Sequence, residues 1–194
     1  MRWTGSMVAV AALALVSCNP ASEGDKTAAG ESASGPGAPK KAEVEAGTVQ
    51  LGGEAILVTG PMGTSLAYGS PREAVEAELT KVLGPSAEKG SNAECGAGPI
   101  DFTNFEPGLV VNFQEEKLVG WYLDGESTLR TDKGIGTGSP AADYVAAHAA
   151  EAIEDSTLGV EFYSERDGIG AFMTEDAKNP LVEALHAGTN CFFR

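Results

Sequence analysis

The chain has little positive charge and few cysteines or histidines. Its 194 residues carry 13 lysines and arginines against 28 acids, a formal net charge of −15. No basic cluster exists beyond Lys40-Lys41. Nucleic-acid binding needs a basic patch, so that class is excluded. Adsorption on anionic lipid is disfavoured for the same reason. The acids promote solubility and leave a cationic or neutral apolar partner open. His148, His186, Cys18, Cys95 and Cys191 are too scattered for a zinc signature. Asp124-Gly125-Glu126 and Glu165-Arg166-Asp167-Gly168 are turns, not EF-hand loops. Gly60-Pro61-Met62-Gly63 fits neither a dinucleotide fingerprint nor a P-loop, and reads as a hairpin turn. Gly134 to Gly138 fails the same spacing, although a helix start follows it. Gly63-Thr64-Ser65-Leu66-Ala67 lacks the second glycine of a nucleophile elbow. No cofactor, no metal and no catalytic constellation are expected.

What is present begins with MRWTGSMVAVAALALVSC. Arg2 gives a positive start, and Met7 to Val16 is apolar but too short to span a bilayer, which needs about 20 residues. It has the length of a signal-peptide core. Leu15-Val16-Ser17-Cys18 resembles a bacterial lipobox. That resemblance implies cleavage before Cys18, lipid on its sulfur and amine, and a stable membrane anchor. Asn19 stands where an inner-membrane-retained lipoprotein usually has Asp, so the expected location is the periplasmic side of the outer membrane. Losing residues 1–17 removes Arg2 and no acid, taking the net charge from −15 to −16. Asn19 to Gly47 is almost wholly small or polar, with Val44 its only large aliphatic residue. Such a stretch cannot offset its ordering entropy and reads as a tether. The expected organisation is a signal over 1–17, lipidated Cys18 and tether over 18–47, and one domain over 48–194.

Two cysteines remain for that domain. Cys95 and Cys191 are an even pair in an oxidising compartment, so a disulfide is expected. The rival state for Cys95 is a catalytic thiol, which needs a basic neighbour or a helix N-terminus. Glu94 beside it pushes the other way.

The domain reads as two related halves. Each places Gly-Ser-Pro before an Ala/Glu-rich helix, at Gly69-Ser70-Pro71 and Gly138-Ser139-Pro140. For the first, Ser70 is the expected N-cap, Pro71 the first helical residue, Glu73 the capping-box acid and Gly84-Pro85 the stop. Val75, Leu79, Val82 and Leu83 share one face. In the second, Tyr144, Val145, His148, Ala152 and Ile153 form the face, which makes His148 a packing residue. A hairpin follows each helix: strands 110–113 and 118–122, then 160–163 and 169–173. The first half also carries an insertion holding Cys95. Pro180 to Ala187 reads as a third helix, capped by Asn179, with His186 in its last turn. The fold class is therefore α+β, two helix–hairpin halves forming an antiparallel sheet with helices on one side and one disulfide. Trp121 and Tyr122 point to opposite faces of their strand, and Phe192 and Phe193 repeat that situation. These four are the candidate contact surface.

The Gly-Ser-Pro helix, the Leu-Gly-Pro stop and the hairpin resemble the repeat of BamE-like outer-membrane assembly lipoproteins and of tandem-repeat β-lactamase inhibitors. A resemblance over residues 53–194 rests on 93–99, 111–114, 118–121, 156–159 and 187–194. It points to an uncharacterised family of Gram-negative lipoproteins, some labelled aspartate-semialdehyde dehydrogenase. The missing nucleotide fold and basic histidine speak against that activity here. The expected function is a non-catalytic binding module for an envelope protein or small ligand. The alternatives are an inhibitor of a periplasmic enzyme, or a thiol enzyme using Cys95 with His148 or His186.

Overall fold

The computed structural model describes residues 47–60 and 63–192. The signal, Cys18, the tether to residue 46 and Phe193 lie outside the described residues. The elements run β1 (Thr48–Leu51), β2 (Ala55–Thr59), β3 (Thr64–Ala67), α1 (Arg72–Leu83), β4 (Glu88–Asn92), β5 (Ile100–Phe105), β6 (Leu109–Gln114) and β7 (Lys117–Leu123). They continue as β8 (Arg130–Thr131), α2 (Ala141–His148), β9 (Glu151–Ala152), β10 (Val160–Ser164), β11 (Ile169–Met173) and β12 (Val182–Gly188). The described chain is mostly strand with two short helices.

The strands form two sheets. A four-stranded mixed sheet has the order β3-β2-β1-β8, with β1 and β8 parallel. An eight-stranded antiparallel sheet has the order β4-β5-β6-β7-β12-β11-β10-β9. Alternation decides which side of the large sheet is core. Leu109, Val111 and Phe113 of β6 are fully buried on one face, while Val110 and Gln114 on the other are only partly covered. α1 packs on that core face against β1, β2, β5 and β7. Val75 and Leu79 supply its buried positions. Tyr144 of α2 is fully buried on the same face and donates its hydroxyl to the Ile169 carbonyl at 2.7 Å.

The two Gly-Ser-Pro starts are built alike. Pro71 and Pro140, not the serines, occupy the N-cap positions, with φ/ψ of −60/136° and −57/137°. Neither helix has a side-chain cap, which corrects the expected capping box. The flanking backbone is satisfied by a strand instead. Gly69 N–H donates to Leu118, Leu118 N–H to Ser70, and Arg72 N–H to Glu116. In the second half Gly138 donates to Val182, Val182 to Ser139, and Ala141 to Pro180.

These bonds make β12 the counterpart of β7, so β11 matches β6 and β10 matches β5. A bulge recurs at the matched positions: β7 skips Val119 in pairing with β6, and β12 skips Glu183 in pairing with β11. The hairpin over 160–173 therefore corresponds to β5–β6, one strand earlier than the sequence pattern suggested. The expected third helix is strand β12. It pairs with β7 and β11 on its two sides and is buried over most of its length. Tertiary pairing there overrides the helical propensity of Val-Glu-Ala-Leu-His-Ala. α2 also stops early: Ala149 takes the left-handed conformation, and Ala152 and Ile153 lie beyond it.

Candidate functional site

Helices and the small sheet cover one face of the eight-stranded sheet. Its other face is overlaid by the C-terminal residues 189–192 and the segment around Ser156 and Leu158. Asn112 holds the C-terminal segment in place: its Nδ2 donates to Asn190 Oδ1 at 2.8 Å and to the Thr189 carbonyl at 3.2 Å. Asn190 Nδ2 in turn donates to the carbonyls of Ala187 and Trp121. Phe192 then settles among aromatic rings. It makes edge contacts with Tyr122 at 6.0 Å, Phe172 at 5.3 Å and His186 at 4.9 Å between centroids. Phe172 stacks on His186 at 5.3 Å. The His186 ring lies flat over Gly170, where an added Cβ would come within 2.2 Å of its Nε2.

Two hollows flank this ridge. The larger, about 630 Å³, is lined by Tyr122, Asp124, Phe172, Leu181, Glu183 and Phe192 among others. The second, about 350 Å³, is lined by Phe102, Asn104, Val110, Asn112, Tyr122 and Phe192 among others. Burial pushes the Tyr122 phenol above its ordinary pKa, and the carboxylates of Asp124 and Glu183 push it further. Among the described residues neither carboxylate has a salt-bridge partner. The Asn104 amide oxygen is buried without a donor, while its Nδ2 donates to Glu88.

The expected contact residues separate. Tyr122 and Phe192 are on this face. Trp121 is fully buried in the core, donating its indole N–H to the Gly52 carbonyl at 2.8 Å, and offers no contact surface. Phe193 lies outside the described residues. Phe172, Asp124 and Glu183 are additions. Period-two alternation already places Phe172 opposite Ala171, and the bulge brings in Glu183.

The cysteines meet, but not as a disulfide. Cys95 and Cys191 are free thiols. The Cys191 thiol hydrogen-bonds with that of Cys95, an approach longer than the about 2.05 Å of a bond. Asn92 Nδ2 also points at the Cys191 sulfur, at 3.4 Å. Contact with Cys95 and desolvation raise the Cys191 pKa above its ordinary value, and the Gly96 N–H only partly opposes them. A nucleophilic thiol needs the reverse.

The two histidines lie on α2 and β12. His148 is fully buried between Asp167, whose Oδ2 lies 2.9 Å from its Nδ1, and Thr131, whose Oγ1 lies 3.0 Å from its Nε2. A carboxylate only accepts, so Nδ1–H donates to Asp167 and neutral Nε2 accepts the Thr131 hydroxyl. The order Asp–His–Thr is that of a hydrolase triad. Thr131 is only 1% exposed, however, so no substrate reaches its hydroxyl. Burial lowers the His148 pKa, and Asp167 recovers part of the shift. Asp167 is itself held well below the carboxylate range, first by Arg166 and, against burial, by Lys133 and His148. The cluster joins β8, α2 and the β10–β11 turn. His186 belongs to β12, not to a helix, and lies under Phe192. Among the described residues no group of three or more His, Cys, Asp or Glu side chains could hold a metal ion.

No protein-family model and no curated protein matches the chain. A similar solved structure is that of the uncharacterized protein yfeY from Escherichia coli. It is 16% identical with a TM-score of 0.48, covering 72% of this chain and 97% of that chain.

Proposed function

We propose that this chain is a lipoprotein held through Cys18 on the periplasmic side of the outer membrane, whose domain is a non-catalytic binding module. The supporting observation is the aromatic face of the eight-stranded sheet, where Tyr122 and Phe192 stand between two hollows and Phe172 lines the larger. Interfaces favour such rigid aromatic anchors. A photo-crosslinking residue at position 172, in intact cells, should capture a defined partner that the same residue at exposed Thr80 of α1 does not. Equal capture from both positions would sink the reading.

A module that inhibits a periplasmic enzyme is the second reading, favoured by the paired repeats that present one continuous face. It requires saturable inhibition of a periplasmic hydrolase, relieved by Phe172→Ala.

Under the same reading Cys95 and Cys191 close to a disulfide in the periplasm. The two thiols give up two protons and two electrons to a protein disulfide, which is reduced to a dithiol. The loop closed is long, and the chain-entropy model sets its stabilisation at up to about 4–5 kcal/mol. Thiol counting on protein extracted from membranes should find none before reduction and two after. Two free thiols before reduction, with Cys18 lipidated, would refute it.

A further inference from the structure

The two hollows beside Phe192 share one chemical bias: they offer acceptors and rings, and few free donors. In the larger, Asp124 follows the last residue of β7 and Glu183 sits at the bulge of β12. Bulges commonly re-aim a side chain at a functional position. Here the bulge brings a carboxylate to the same hollow as Asp124, beside the rings of Tyr122, Phe172 and Phe192. Among the described residues no lysine or arginine lines that hollow. Two carboxylates elsewhere in this domain are closely paired, Glu76 with Arg72 and Lys89, and Asp167 with Arg166 and Lys133. Asp124 and Glu183 have no such partner among the described residues.

We infer that this face docks a basic segment of a partner protein, seating a lysine or arginine side chain between Asp124 and Glu183. The inference rests on the binding-module reading and names the chemistry of its partner. Three features favour this occupant. An ammonium or guanidinium group satisfies both carboxylates with charge-assisted hydrogen bonds. Its aliphatic stem lies against the rings, where cation–π attraction adds to burial. The two hollows share Tyr122 and Phe192, so an extended segment crosses the ridge and reaches the second hollow. The net charge of −15 adds long-range attraction for the same partner.

The test uses the full chain in 0.15 M salt and a fluorescent, amidated octapeptide of alternating lysine and leucine, read by anisotropy. A glutamate-for-lysine peptide is the control. Two double variants remove equal charge: Asp124→Asn with Glu183→Gln in the hollow, and Glu73→Gln with Glu78→Gln on α1, across the core. The inference expects the lysine peptide to bind and the glutamate peptide not to. It expects the hollow pair to weaken binding at least about tenfold, and the α1 pair by less than about twofold. Phe172→Ala should weaken binding with all charges kept. Absent binding of the lysine peptide overturns the inference. So does equal weakening by both pairs, which would assign the effect to net charge. Photo-capture from position 172 of a partner whose contacting segment is neutral or acidic would also overturn it, while leaving the binding-module reading in place. Loss of capture itself would remove both.

Discussion

His148 holds a single protonation state because its surroundings are complete without a second proton. Asp167 takes the Nδ1 hydrogen and Thr131 supplies one to Nε2. Protonating Nε2 would take from the Thr131 hydroxyl hydrogen its acceptor inside the core. The folded pKa is lowered, so the unfolded chain binds the proton more readily. This contribution to stability is full above the ordinary value of 6.5 and is lost as pH falls below it. Glu76 has the same sign in a lower window. Burial would raise its pKa, yet hydrogen bonds from Lys89, Arg72 and Thr103 outweigh that and hold it at about 2. Its contribution is full above the ordinary 4.5 and is lost as pH falls toward 2. Chemical denaturation at stepped pH should therefore show stability falling in two stages on acidification. In His148→Gln the slope just below pH 6.5 should flatten, whatever the variant's absolute stability. Thr131→Val leaves Nε2 without its donor and should cost about 1–3 kcal/mol. Trp121→Ala should cost about 3–5 kcal/mol from the lost volume alone. A change below 1 kcal/mol in equilibrium unfolding would contradict its place in the core.

At the scale of elements, local patterns were legible where one face is dry and the other wet. β6, β7, β10 and β11 follow the expected strands closely, and α1 covers the expected residues to within one position. The misreadings occur where neighbours decide. Val182 to Ala187 contains good helix formers, yet it lies between β7 and β11 and is buried from both sides, so no alternation marks it. Ser70 and Ser139 look like caps, but their carbonyls accept from the N–H groups of Leu118 and Val182, and the first helical N–H groups, of Arg72 and Ala141, donate to the carbonyls of Glu116 and Pro180. β8 and β9 have two residues each, too short for a pattern. Of the candidate site, alternation put Trp121 and Tyr122 on opposite faces without deciding which of them is core. The bulge that brings in Glu183, and the path of the C-terminal residues across the sheet, depend on contacts distant in sequence. Gly170 is legible only afterwards, as the floor for the His186 ring. Gly170→Ala should dislodge that ring, lowering stability and moving the Phe172 and Phe192 aromatic resonances in NMR spectra. Unchanged resonances would show that the ring packs elsewhere.

On the scale of the whole molecule, the repeat places matched strands β7 and β12 side by side. Within that pair, Tyr122 faces His186. The helix-start bonds equate Leu118 with Val182, and the same offset equates Tyr122 with His186. At this one position a residue pairs with its own counterpart, and an approximate two-fold axis passes between the two. A nick between Gly125 and Glu126, in an exposed turn, should leave both fragments associated on gel filtration, because β7 and β12 still pair. Separation of the fragments would place the cohesion elsewhere. A self-matched antiparallel seam is the contact that two identical subunits make in an isologous dimer. The fold thus has the form left when a gene encoding such a subunit is duplicated and its copies joined. In such a form the subunit boundary becomes the middle of one sheet, and here the two residues at the axis, a tyrosine and a histidine, lie under a single phenylalanine.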